Sequence, residues 1–167
     1  MRIETDITAA LAACAFVLGA SAACAAEFDA TMEKILAEYL TIQEALAADS
    51  TEGVEAATRA IRASANELHP NQVAGERAER YQNIPQDLLA ACDELEGAED
   101  IHSVRESFKE LSKPVSTWVR MAKPAGTSVM YCSMAKASWV QRGSKAANPY
   151  LGSEMPSCGE KVGGSDG

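Results

Sequence analysis

The sequence is poor in aromatic residues and in positive charge, holds only two histidines, and has no strongly apolar run that reads as a membrane span. Phe, Trp and Tyr make up 5% of the chain. With alanine and leucine dominating the apolar residues, that balance argues for helices and against a β-sandwich or barrel. Lys and Arg number 15 against 24 Asp and Glu, for a net charge of −9, which argues against nucleic acid as a partner. Gly-x-Ser-x-Gly, His-Glu-x-x-His, phosphate-loop and dinucleotide motifs are absent, so hydrolytic and nucleotide-dependent chemistry has no support and the chain reads as a non-enzyme. Cys-x-x-Cys-His is absent as well, which removes attached haem. Glu99 to His102 is a single Glu-x-x-His spacing, where a di-iron carboxylate site needs two.

The first feature present is an uncharged stretch, Ile7 to Ala26, that ends in small residues just before Glu27. It reads as a signal peptide over residues 1–26, with Ala23-Cys24-Ala25 as a small-x-small cleavage site. The mature protein is then periplasmic or secreted and not transmembrane; acylation of Cys24, giving a lipid anchor, is the alternative. Of the five cysteines, Cys14 and Cys24 belong to this segment. Cys92, Cys132 and Cys158 remain in an oxidising compartment. Three is odd, so at least one is free, buried or a ligand.

From Phe28 the apolar residues run Phe28, Met32, Ile35, Tyr39, Ile42, Leu46, alternating steps of four and three that form one seam on a helix. Asp49-Ser50 offers an N-cap for a second helix carrying Val54, Ala57, Ile61 and Leu68, which His69-Pro70 stops. A third segment places Tyr81, Ile84, Leu88, Cys92 and Leu95 on one face, kinked or restarted at Pro85 and closed by Gly97. A fourth carries Ile101, Val104, Phe108, Leu111, Val115 and Trp118, with Pro114 expected to bend it, and stops at Pro124-Ala125-Gly126. The predicted fold is all-α: an antiparallel up-and-down four-helix bundle over residues 27–124. A C-terminal loop and short-strand segment over 125–160 packs on it, and residues 161–167 form a disordered tail. Cys92, on the third seam, reads as a small buried hydrophobe.

After Gly126 the helical periodicity ends and sulfur accumulates: Met130, Cys132, Met134, Met155 and Cys158. Val129 to Met134 is predicted as a short strand. Residues two apart on a strand face the same side, so Cys132 and Met134 would present a thiolate and a thioether together. Met155 and Cys158 repeat the pair across Pro156, and the turn at Asn148-Pro149-Tyr150 would fold them back onto the first. Soft sulfur donors of this mix favour Cu(I) over Zn(II), which prefers thiolate with imidazole, and over Mg(II) or Ca(II), which need oxygen. The predicted metal ligands are therefore Cys132, Met134, Met155 and Cys158, with copper(I) as the ion.

Tyr131-Cys132-Ser133-Met134, the pair Ser138-Trp139, and the run from Asn148-Pro149-Tyr150 through Gly152, Met155 and Cys158 to Gly159-Glu160 resemble the signature of domain-of-unknown-function family 3347. Leu46 to Asp49 and the set Arg105, Phe108, Leu111 and Ser112 are similar too. The resemblance implies a bacterial periplasmic helical bundle with a metal-associated tail, standing alone or fused to heavy-metal efflux adaptors. It also implies that Trp139, Asn148, Pro149 and Tyr150 support the loop. Ser133 stands where the family pattern has proline, a departure that would loosen the first pair.

Two functions follow, and a thiol redox protein is a third. One is an exported Cu(I)-binding protein that buffers the metal or passes it to an efflux adaptor or another envelope protein. The other is a helical protein-interaction module without a metal role, stapled by a Cys132–Cys158 disulfide, which would close a loop of about 27 residues and contribute on the order of 3 kcal/mol.

Overall fold

The computed structural model describes residues 7–73 and 75–165, with side-chain surroundings described from Ala23 onward. The signal-peptide reading of residues 1–26, Cys14 included, therefore lies largely outside the described side chains. Five helices come first: α1 (Ile7–Ala47), α2 (Val54–Ala65), α3 (Glu76–Tyr81), α4 (Ile84–Glu96) and α5 (Ile101–Ala122). Three strands follow, β1 (Thr127–Cys132), β2 (Ala137–Arg142) and β3 (Glu160–Gly164), and they form one antiparallel sheet in the order β2-β1-β3. The all-α, four-helix expectation is thus corrected: the fold is mixed, helices plus a three-stranded sheet. Among the described residues no helix is long and apolar enough to cross a membrane.

The helical seams are where periodicity puts them. Phe28, Met32, Ile35, Tyr39, Ile42 and Leu46 are all fully buried along α1, and Val54, Ala57 and Ile61 of α2 turn inward to meet them. Tyr81 stacks on Phe28 with ring centroids 5.4 Å apart. The chain breaks at Gln82-Asn83, and Pro85 sits in the first turn of α4, where its missing N–H costs no helical bond; this is the restart option, and it divides the third segment into α3 and α4. Pro114 lies inside α5, which runs unbroken to Ala122. Asp100 caps α5 by accepting from Ser103 N–H at 2.8 Å. The Asp49-Ser50 cap is not formed: α2 begins after Gly53, with no side-chain cap.

Helix α2 packs between α1 and α4, and α4 packs on α5. Helix α5 also lies against β2, so it belongs to both the helical layer and the sheet. That double contact is why an up-and-down bundle is the wrong description. Phe108, Leu111, Val115 and Trp118 of α5 share one core with Val129, Met130, Trp139 and Val140 of the hairpin. Strand β3 pairs with β1 across a register irregularity at Val129/Met130. Residues 161–164, expected in a disordered tail, supply most of β3; Asp166 and Gly167 lie outside the described residues.

Candidate sulfur site

Strand β1 ends at Cys132, and the chain turns through Ser133 to Lys136 into β2, with Lys136 at φ 51°. Cys132 is fully buried at this sheet end. The second cysteine arrives on the long return from β2 to β3, and the two Sγ atoms lie 2.6 Å apart. Their convergence follows from one residue above all. Asn148, itself fully buried, accepts from the N–H groups of Tyr150 and Leu151 at 2.8 and 3.1 Å and donates through Nδ2 to the carbonyl of Cys158 at 2.6 Å. Its backbone N–H reaches Pro156 O at 3.0 Å. An asparagine that folds its own turn and holds the far strand of the loop fixes where Cys158 can be.

Trp139 and Tyr150 seat this loop on the core. The two rings meet edge to face at 5.9 Å, and Trp139 Nε1–H donates to Gln141 Oε1 at 2.9 Å. Gly159 passes so close over the Trp139 ring that a Cβ there would collide with it. The Tyr150 hydroxyl donates to Ser138 O at 2.5 Å and approaches Ser112 Oγ at 3.2 Å. Ser112 Oγ also meets the Tyr39 hydroxyl at 2.8 Å, and Val140 N–H donates to that hydroxyl at 3.0 Å. The support expected of Trp139, Asn148 and Tyr150 has this physical content.

A second anchor is invisible in the local sequence. Arg105 of α5 donates to Pro149 O and Leu46 O, each at 2.9 Å, and to Asp49 Oδ1 at 2.6 Å. Asp49 Oδ2 accepts from Ser153 N–H at 3.0 Å. Gly152, at φ 50°, fits under this ion pair only because it lacks a Cβ, which would collide with Asp49 and Arg105. Gln43 of α1 adds a bond to Ala147 O at 2.9 Å. Asp49 therefore clamps the loop instead of capping α2. The hydrogen bonds to Ser153 and Arg105 hold its carboxyl down at about 2.

The four expected ligands are not equally placed. Cys132 and Cys158 meet. Met134 lies beyond the end of β1, in the turn, and not beside Cys132 on a strand face; its side chain is 66% exposed, and that of Met155 is 43% exposed. The two cysteines differ in charge preference. Burial raises the Cys132 thiol, but the Cys158 S–H, the Ala135 N–H and the Asn148 side chain outweigh it and bring Cys132 below the usual thiol range. Donating to Cys132, and secondarily burial, pushes Cys158 above that range. Of the two, Cys132 is the one whose surroundings favour loss of its proton. A cleft of about 340 Å³ lies at the turn after β1, lined by His102, Arg105, Lys109, Met134, Tyr150 and Glu154 and by neither cysteine. Among the described residues no three of His, Cys, Asp and Glu cluster as a metal site.

The model of the family described as protein of unknown function (DUF3347) matches residues 35–127. The chain belongs to that family. The matched stretch takes in α1 from Ile35 through α5 to the first residue of β1, including Asp49 and Arg105, and stops before Cys132. No curated protein and no solved structure matches the chain.

Proposed function

We propose that the protein binds Cu(I) as cargo through the thiolates of Cys132 and Cys158, with the thioethers of Met134 and Met155 available to complete an all-sulfur shell. In this reading it works outside the cytoplasm, buffering the ion or handing it to an efflux adaptor or another envelope partner. The observation that carries it is that two cysteines distant in sequence converge in a loop whose methionines stay exposed. Apolar side chains of this size are otherwise buried here: among the described residues, the exposed large hydrophobics are Met134, Met155 and Val162. A loop that needed methionine only for packing would bury it. The donor set is also chemically narrow, because thiolate and thioether together select a soft ion.

The 2.6 Å separation of the sulfurs favours a second reading, the Cys132–Cys158 staple. Two thiolates on one tetrahedral ion at about 2.3 Å each lie roughly 3.8 Å apart, so metal binding requires the pair to spread by about 1 Å. Cys158 is the residue that moves in this account, since Cys132 is fixed in the sheet. The test is a competitive Cu(I) titration of the reduced protein against a coloured chelator, with the Cys132→Ser, Cys158→Ser double variant alongside. Removal of one equivalent by the wild type and none by the variant is expected; a wild type that leaves the chelator loaded returns the pair to a structural role.

A further inference from the structure

We propose that the Cys132–Cys158 pair is a thiol–disulfide exchange site of fixed polarity, in which an incoming low-molecular-weight thiolate attacks Cys158 Sγ and Cys132 Sγ leaves. Cys132 is fully buried at the end of β1, under the loop that Asn148 holds in place. Cys158 is only partly buried, in a turn closed by its own N–H bonded to Met155 O at 3.1 Å, with Met155, Pro156 and Ser157 before it all exposed. Exchange requires the attacking sulfur to approach along the axis of the S–S bond. Of the two cysteines, only Cys158 is open to solvent at all.

When the Cys132–Cys158 bond breaks, its electron pair stays on the departing sulfur. Ala135 N–H already points at Cys132 Sγ, 3.5 Å away, so the turn after β1 supplies a donor to the buried sulfur. With Cys132 departing, the charge falls where this donor receives it, and the attacked sulfur is the one that solvent reaches.

A thiolate RS⁻ forms a bond to Cys158 Sγ, the Cys132–Cys158 bond breaks, and Cys132 becomes a thiolate. A second RS⁻ then bonds to the outer sulfur of the mixed disulfide and the bond from that sulfur to Cys158 Sγ breaks, giving RSSR and a Cys158 thiolate; both protein thiolates are protonated by the thiols that supplied RS⁻. In the other direction, a low-molecular-weight disulfide oxidises the pair by the same steps reversed. The oxidised pair holds no thiolate for a metal. Exchange at Cys158 is therefore also a gate on metal loading, and that consequence, unlike the exchange itself, rests on the Cu(I) reading.

The test uses the full chain, oxidised with glutathione disulfide, exposed briefly to glutathione, quenched in acid and mapped by peptide mass spectrometry, which separates adducts at Cys14, Cys24 and Cys92. Mixed disulfide is expected on Cys158 in at least about tenfold excess over Cys132. The single variants repeat the test without depending on the oxidised starting state: Cys132→Ser takes up glutathione at Cys158, and Cys158→Ser leaves Cys132 unmodified while circular dichroism shows it folded. Adducts on Cys132, equal adducts on both, or failure of the pair to lose two hydrogen atoms, two protons and two electrons, on oxidation by glutathione disulfide overturn the proposal. Copper is scored separately. If reduced protein binds Cu(I) and oxidised protein does not, the gate stands; equal binding by both overturns the gate. If neither binds while the adducts still favour Cys158, the metal reading fails and the exchange site remains.

Discussion

Sulfur is used in two ways on the two sides of Gly126. In the helices, Met32 and Cys92 are fully buried; the Cys92 thiol donates only a long bond to Thr58 O, at 3.7 Å, and burial pushes it up to about 11. It is a small apolar residue there, inert by its surroundings. In the sheet and its loops, Met134 and Met155 stand in solvent, and Cys132 and Cys158 face each other with opposite shifts. Met130 of β1 is buried like Met32, so beyond Gly126 the sulfurs set apart from packing are those at the sheet end and in its loops. What separates them is the backbone around each sulfur: a helix seam offers apolar neighbours, whereas turns offer free N–H donors and access.

The comparison is broken most severely by detaching the second region from the first. Trp139→Ala removes the ring that joins the loop, the hairpin and α5, and is expected to cost about 3–5 kcal/mol, measured by denaturant unfolding followed by circular dichroism. Arg105→Gln acts next. It removes charged bonds to Leu46, Asp49 and Pro149 and is expected to cost roughly 1.5–3 kcal/mol. It should also weaken Cu(I) binding without touching a sulfur, because Pro149 begins the loop that carries Cys158; unchanged affinity would show that the clamp serves stability alone.

Smaller effects sharpen the contrast between the two sets of sulfurs. Met134→Leu should leave stability within about 0.5 kcal/mol yet lower Cu(I) affinity about tenfold, the equivalent of roughly 1.4 kcal/mol. Cys92→Ala should do the reverse, lowering stability and leaving the titration unchanged. The smallest effect is that of acid on the Asp49 clamp. Its folded-state value, about 2, lies below the ordinary carboxylate value of about 3.9. Its stabilisation is therefore fully present above that ordinary value and is lost as pH falls through about 2. Tryptophan fluorescence followed from pH 5 to pH 2 should report loosening that Asp49→Asn makes pH-independent; identical profiles in the two proteins would remove Asp49 from the account.

The helical seams were legible because burial on a helix repeats within a few residues: Phe28 to Leu46 and Val104 to Trp118 announce themselves locally. The sheet was not. Strand β2, Ala-Ser-Trp-Val-Gln-Arg, shows no alternation, and β3, Glu-Lys-Val-Gly-Gly, has the composition of a tail; both become strands only by pairing with β1. The turn at Asn148 was readable as a way to return Met155 and Cys158 toward β1, but the meeting of Cys132 with Cys158 depends on contacts far apart in the chain and was not. The pairing of Cys132 with Met134 on one face was not correct, because it assumed the strand continued past Cys132, where the turn to Lys136 begins. The clamp was hidden because Arg105 and Asp49 are far apart in the chain, and an Asp before a helix has an obvious local use.

The most direct measurement is X-ray absorption at the copper edge on reduced protein loaded with one equivalent of Cu(I). A first shell made of sulfur alone, which loses sulfur in Met134→Leu and is unaltered in Cys92→Ala, is the predicted result. A shell containing nitrogen or oxygen, or one that changes with Cys92 and not with Met134, would contradict the claim that the sulfur of the C-terminal region is the site.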